Sequence, residues 1–209
     1  MTAPRPGFPV RSSTDLHRGR VLAVRADDVE MPGGRVAVRE VLEHPGAVAI
    51  AALDDDGRLM MIHQYRHPIG RRLWELPAGL LDVDGEDPLR TAQRELTEEV
   101  GLTATDWTVL VDLVPSPGFS DEAVRVFLAR DLTEVGRPAS DADDEESDLV
   151  TRWVSVPAAV RMVLDGKIVN GVSAAAVLAT HVLAGGPGRP VDFPWPDRPT
   201  RFAARVPPG

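Results

Sequence analysis

The sequence contains no cysteine, which excludes a disulfide framework, a thiolate zinc site and a cysteine nucleophile. Aromatic residues are scarce at 5%, so Ala, Val and Leu must fill most of any core. No apolar run approaches the length needed to cross a bilayer. Residues 1–11 are rich in Pro and Arg without an apolar stretch, unlike a secretory signal, so a cytoplasmic protein is the expectation. Basic charge is also in deficit: 23 Lys and Arg face 32 Asp and Glu, a net charge of −9. That balance excludes a broad nucleic-acid surface, which needs a basic field. What remains is ordinary for a globular chain of 209 residues, 43% hydrophobic and 26% charged, and fits one domain with extensions.

Punctuation by Pro and Gly divides the chain. Residues 1–14, with Pro4, Pro6 and Pro9, read as a loose arm, and 15–45 as an N-terminal β segment. Within it strands are expected at 21–24 and 35–43, around a turn at Pro32-Gly33-Gly34. The main domain is expected over 46–184. Its first strand, 47–53, is short and wholly apolar, as a strand covered on both faces should be. Asp54-Asp55-Asp56-Gly57 reads as a hairpin turn into a strand at 59–64. Further strands are expected at 107–114, 124–129 and 151–156, and helices at 157–164 and 170–183. From Gly185 the chain is Pro- and Gly-rich and reads as an extended tail, 185–209, lying on the surface or on a partner. No repeat and no second domain core is visible. Strands with interspersed helices predict a mixed β-sheet between helices, of α+β or α/β class.

The clearest element is a helix over 88–100. Asp87 is placed to cap it, Pro88 suits its first turn and Gly101 its end. Leu89, Ala92, Leu96 and Val100 form one apolar face. Glu95, Glu98 and Glu99 stand at i, i+3 and i+4, crowding three carboxylates together. Like charges so spaced repel by roughly 0.2–0.5 kcal/mol per pair. In the last turns, where the helix dipole is negative, each carboxylate loses about 0.3–1 kcal/mol more. A solvated acidic face is the bland reading; an anchored, strained one makes sense when a cation occupies it. Oxygen donors without Cys or His point to Mg2+ or Mn2+ rather than zinc.

Gly79, Glu86 and the run Arg94-Glu95-Leu96-Thr97-Glu98-Glu99-Val100-Gly101-Leu102 resemble the Nudix box. The match departs only upstream, where six residues instead of five separate Gly79 from Glu86; the extra one falls in the turn Asp82-Val83-Asp84-Gly85. The resemblance implies a Nudix fold and metal-dependent hydrolysis of a nucleoside-diphosphate compound. It implies that Glu95 and Glu99 are metal ligands, with Glu98 a further one and the backbone carbonyl of Ala78 joining them. Arg94 would orient the glutamates and Glu86 would hold the loop to the helix.

Outside the box, similarity to the ADP-ribose pyrophosphatase branch runs from about Gly33 to Leu183. It rests on 39–48 (REVLEHPGAV), Gln64-Tyr65-Arg66, Trp74-Glu75-Leu76-Pro77-Ala78-Gly79, Ser116-Pro117-Gly118-Phe119-Ser120-Asp121-Glu122, and the segment from Asp165 to Asn170. Pro117 lies sixteen residues past Gly101, where this branch has its proline. Substrate contacts are thereby expected from Arg39, Glu40, Arg66, Leu80, Ser116 and Glu122, with Arg66 a fork for phosphate oxygens. The acidic stretch 141–148 holds six carboxylates, and the resemblance implies a water-activating base there, Glu146 first and Glu145 second. It also implies a homodimer that exchanges N-terminal strands, so that Arg39 and Glu40 serve the partner's site. Products would be AMP and ribose 5-phosphate. Rival readings keep the box and change the substrate to another nucleotide-sugar such as GDP-mannose, or to a dinucleotide. NADH-cleaving relatives usually carry a zinc ribbon and the related isopentenyl diphosphate isomerase needs a cysteine; neither is compatible with this chain. A non-enzymatic ADP-ribose sensor would need a basic DNA-binding domain and degenerate glutamates, and neither is seen.

Overall fold

The computed structural model describes residues 7–83, 85–138, 148–183 and 185–205. The chain divides into two compact units, one of residues 1–45, 116–122 and 199–209, the other of 46–115 and 123–198.

The larger unit carries two sheets. One has the order β7-β4-β9-β8, from β4 (Ala47–Ala52), β7 (Ala78–Leu80), β8 (Leu102–Leu113) and β9 (Val124–Glu134). It is mixed: β4 runs parallel to β9 and antiparallel to β7. The other has the order β10-β5-β6, from β5 (Arg58–Arg66), β6 (Arg71–Glu75) and β10 (Val150–Ser155). The turn expected at 54–57 forms, with the Asp54 amide donating to the Arg58 carbonyl at 3.0 Å. Beyond the bridge Leu53–Leu59, however, β4 and β5 part into different sheets, so it is not a two-stranded hairpin.

Strand β4 explains its own composition. Val48, Ile50 and Ala52 pack in a cluster with Ala92 and Leu96 of helix α1 (Pro88–Val100). Ala49 and Ala51 point the other way, into a cluster with Ala159 of α2 (Val156–Leu164) and Ala176 and Val177 of α3 (Gly171–Leu183). A strand buried on both faces has no polar face to alternate with.

Helix α1 is set by local signals. The Asp87 carboxylate accepts the Leu89 amide at 2.9 Å, and Gly101 ends the helix at φ +67°. The terminus is clasped from β9: the amides of Val135 and Gly136 donate to the Gly101 carbonyl at 2.9 and 3.2 Å. A side chain at Gly101 would meet the Arg137 amide nitrogen at 2.6 Å, so both φ and space require glycine.

The smaller unit is an antiparallel sheet of β1 (Val10–Arg18), β2 (Ala23–Glu30) and β3 (Val36–Glu43). Strand β1 starts inside the arm expected over 1–14. Its interior is ionic. Glu43 is 0% exposed, and Arg25 and Asp27 are nearly as buried. Arg25 donates to Asp27 at 2.9 Å and also to Glu43. Arg205, from the end of the chain, pairs with Glu43 at 2.9 Å and with Asp15 at 2.6 Å, and Arg201 stands 3.5 Å from Glu43. A charged interior leaves no apolar pattern, so no second core is visible along the sequence. Burial pushes the Glu43 carboxyl up, but the hydrogen bonds from Arg205 and Arg25 outweigh this and hold it below its ordinary value.

Residues 189–194 are fastened to the rest of the larger unit. Arg189 exchanges backbone hydrogen bonds with Val109 at 2.8 and 2.9 Å. The buried Arg125 side chain bonds Asp112 at 2.7 Å and the carbonyls of Phe193 and Pro194 at 2.9 and 3.2 Å.

Candidate active site

Of the α1 carboxylates, Glu95 and Glu99 flank the buried face that carries Ala92 and Leu96, and lie against β7. Glu95 and Glu99 are buried, at 9% and 6% exposure, while Glu98 is partly open. One guanidinium is divided among three acids. Arg94 donates to Glu95 at 2.8 Å, to Glu98 at 2.9 Å and to Glu86 at 3.3 Å. The Thr91 hydroxyl adds a bond to Glu86 at 2.9 Å. Burial raises the Glu86 carboxyl, but the bonds from Arg94 and Thr91 more than offset it and keep it below its usual range; Arg94 is held still more firmly protonated. Glu86 therefore ties the loop before α1 to the helix and turns Arg94 towards Glu95 and Glu98.

Strand β7 supplies the other wall. The Ala78 amide donates to the Glu99 carboxylate at 2.9 Å. At Gly79 a Cβ would overlap the Glu95 carboxyl group itself, so glycine is what lets that carboxylate lie against the strand. Leu80 follows, opposite Ala47 of β4.

Among the described residues, no three His, Asp or Glu side chains already converge as a metal-binding set. Glu95 and Glu98 are turned to Arg94, and Glu99 to the Ala78 amide. The donor chemistry nevertheless fits a hard divalent cation. Buried carboxylates crowd one helix face beside the backbone of Ala78, and buried charge demands compensation.

The structure divides the other expected substrate residues. Arg66 and Leu80 lie with α1 in the larger unit, whereas Arg39 and Glu40 on β3, and Ser116 and Glu122, lie in the smaller. Arg39 is exposed and donates to its neighbour's carbonyl, that of Val38, at 3.1 Å. Glu122 stands beside His44; burial lowers the His44 pKa against the opposing pull of Glu122 and Asp121. Glu145 and Glu146 fall outside the described residues. Sequence reasoning missed Glu75. It is 2% exposed on β6 and grips Arg66 through both oxygens, at 3.0 and 2.8 Å. The signal was available: a lone acid in an apolar strand, Leu73-Trp74-Glu75-Leu76, requires a cationic partner.

The sequence matches the family described as the NUDIX domain over residues 42–171, and the nucleoside diphosphate sugar hydrolase N-terminal domain over 9–42. The chain belongs to the Nudix hydrolase family, whose members generally require divalent metal ions. It is 58% identical to an ADP-ribose pyrophosphatase of Mycobacterium tuberculosis, over 95% of this chain and 96% of that protein. An ADP-ribose pyrophosphatase of Bacillus subtilis is 38% identical, over 78% of this chain and 86% of its own. The fold matches a crystal structure of an ADP compounds hydrolase with a TM-score of 0.73 and 23% identity, covering 88% of this chain and 98% of that one. Among the described residues no helix is long and apolar enough to cross a membrane.

Proposed function

We propose that this Nudix hydrolase cleaves the pyrophosphate of ADP-ribose, releasing AMP and ribose 5-phosphate. The observation that carries this reading is the 58% identity to an ADP-ribose pyrophosphatase along nearly the whole of both chains. Water supplies oxygen to one phosphorus, the P–O–P bond breaks, and the water's proton passes to a carboxylate of the 141–148 stretch, Glu146 or else Glu145. Glu95, Glu98, Glu99 and the Ala78 carbonyl hold Mg2+ or Mn2+, which when bound neutralises charge on the pyrophosphate oxygens. Arg94 orients Glu95 and Glu98, Gly79 gives Glu95 its place, and Arg66 and Leu80 contact the substrate.

The protein works as a homodimer, with Arg39 and Glu40 meeting the substrate held by the other copy, and Ser116 and Glu122 also contacting substrate. Exposed apolar side chains on the N-terminal sheet, including Val10, Leu16, Val36 and Val38, favour such pairing. Mixing inactive Arg39→Ala with inactive Glu99→Gln should restore part of the activity after subunit exchange. A monomeric mass at micromolar concentration with no recovery rejects the shared site. A second reading, another nucleotide-sugar, draws on the broader nucleoside diphosphate sugar description of the N-terminal match. The deciding experiment is turnover of ADP-ribose, GDP-mannose and a dinucleotide with Mg2+ and with Mn2+, products separated by chromatography. ADP-ribose should have the highest kcat/KM; preference for either alternative overturns the assignment.

A further inference from the structure

In the β5–β6 pair, Arg66 stands directly opposite Arg71, and Ile62 opposite Glu75. Strand alternation puts Gln64 and Arg66 on the same face as Arg71, Leu73 and Glu75. Like charges placed directly opposite weaken a sheet pair, so the two arginines need a reason to be there. Glu75 supplies part of it. Its buried carboxylate takes the Arg66 fork at 3.0 and 2.8 Å, with the Gln64 amide at 3.5 Å. Arg66, Arg71, Leu73 and Glu75 line a pocket of about 460 Å3 with Val169 and Asn170. Two guanidinium groups against one carboxylate give that lining a positive balance, which suits an anionic group. Glu75 also precedes Ala78 by only three residues, at most about 11 Å of extended chain. Ala78 in turn bonds Glu99, so one short segment joins the pocket lining to the α1 carboxylates.

We propose that Glu75 is a positioning residue for substrate: it fixes the plane of the Arg66 guanidinium so that this pocket accepts a phosphate-bearing group. The inference rests on the reading of Arg66 as a substrate contact and deepens it. A long arginine side chain loses rotamer freedom when it binds; a buried partner that already holds its fork removes that cost beforehand. Glu75 touches no reacting atom in this scheme, so its loss weakens binding and leaves chemistry alone.

The test uses Glu75→Gln, Glu75→Asp, Arg66→Lys and the double variant Glu75→Gln/Arg66→Lys in the full chain. KM and kcat for ADP-ribose, the melting temperature, and binding of ribose 5-phosphate by calorimetry are measured for each. Glu75→Gln should raise KM by about tenfold, the scale of one misaligned charge-assisted hydrogen bond, with kcat within about twofold. The double variant should be no worse than Arg66→Lys, because Glu75 acts through Arg66. Glu75→Asp, which keeps the charge and folds if Glu75→Gln does not, should fall between wild type and Arg66→Lys in KM. Ribose 5-phosphate binding should weaken in parallel with KM. If Arg66→Lys raises KM while Glu75→Gln lowers only the melting temperature, or if the two losses multiply, the pair is structural and the proposal is overturned. If Arg66→Lys leaves both KM and ribose 5-phosphate binding unchanged, the reading of Arg66 fails and the proposal fails with it.

Discussion

Two clusters of acids in this chain, each built around buried carboxylates, are balanced in different ways. In the N-terminal sheet, Asp15, Asp27 and Glu43 are met by Arg25, Arg201 and Arg205, so each carboxylate has a guanidinium at hand. On α1, Arg94 is shared among Glu86, Glu95 and Glu98, with Glu99 beside them on the Ala78 amide. Both arrangements remove charge from water, which is costly unless it is paired. In the first the pairing is complete within the chain, and the cluster can serve structure. In the second one guanidinium serves three carboxylates and a backbone amide meets the fourth, an oxygen-rich arrangement whose chemistry suits a hard divalent cation.

That contrast can be broken most severely at Glu43. Glu43→Ala leaves Arg25 and Arg205 facing each other, and should cost about 3–5 kcal/mol of stability, the scale for breaking a buried ion pair. Denaturant unfolding followed by far-UV circular dichroism measures it; a loss below about 1 kcal/mol would make the ionic interior incidental. On α1 the effect should fall on rate rather than stability. Glu95→Gln and Glu99→Gln should each lower turnover by about 10²–10³ with the melting temperature nearly unchanged in metal-free buffer. EDTA should abolish activity of the wild type and added Mg2+ restore it; full activity in EDTA contradicts a metal-dependent site.

Gly79→Ala sharpens the comparison without touching charge. Its methyl group would displace the Glu95 carboxyl, and a displacement of that size should reduce kcat by about 10²-fold. Steady-state kinetics with a melting curve separates this from misfolding. The smallest effect is expected with pH. Hydrogen bonds from Arg18 and Arg205 lower the pKa of Asp15. At Asp27 and Glu43 burial acts upward, but arginine bonds, with Ser13 at Asp27, prevail and lower the value. A carboxyl with a depressed folded pKa contributes stability that is complete above its unfolded value, about 4, and is lost as pH falls through the folded value. The N-terminal sheet should therefore loosen below about pH 4, and Arg205→Ala should start that loss at higher pH. Amide exchange across β2 between pH 6 and 3 reads both. An N-terminal sheet equally protected at pH 3 and pH 6 would contradict the ionic account.

Helix α1 was legible because its determinants are local. A capping Asp87, Pro88 in the first turn, an apolar face at spacings of three and four, and Gly101 in a left-handed conformation act within a few residues of one another. The glutamates at 95, 98 and 99 came with it, as did the apolar run of β4, since burial on both faces writes itself into composition. The roles of Glu86 and Arg94 followed the motif, and their hydrogen bonds agree with it.

Other features were decided only in three dimensions. Whether β4 and β5 stay together past their turn depends on which neighbours compete for each edge, and β5 pairs with β6 and β10 instead. The fastening of the C-terminal stretch depends on Arg125 meeting carbonyls 68 and 69 residues away, and the N-terminal sheet on Arg205 meeting Glu43 162 residues away. Glu75 and Arg66 face each other because β5 and β6 take one register; a shift of one residue would turn them to opposite sides. Sequence by itself determined the helix and which carboxylates it carries, because caps, periodicity and motif spacing act along the chain. Tertiary structure decided which charges are neutralised and by what, because ion pairs are chosen by proximity in the folded state and leave no period in the sequence.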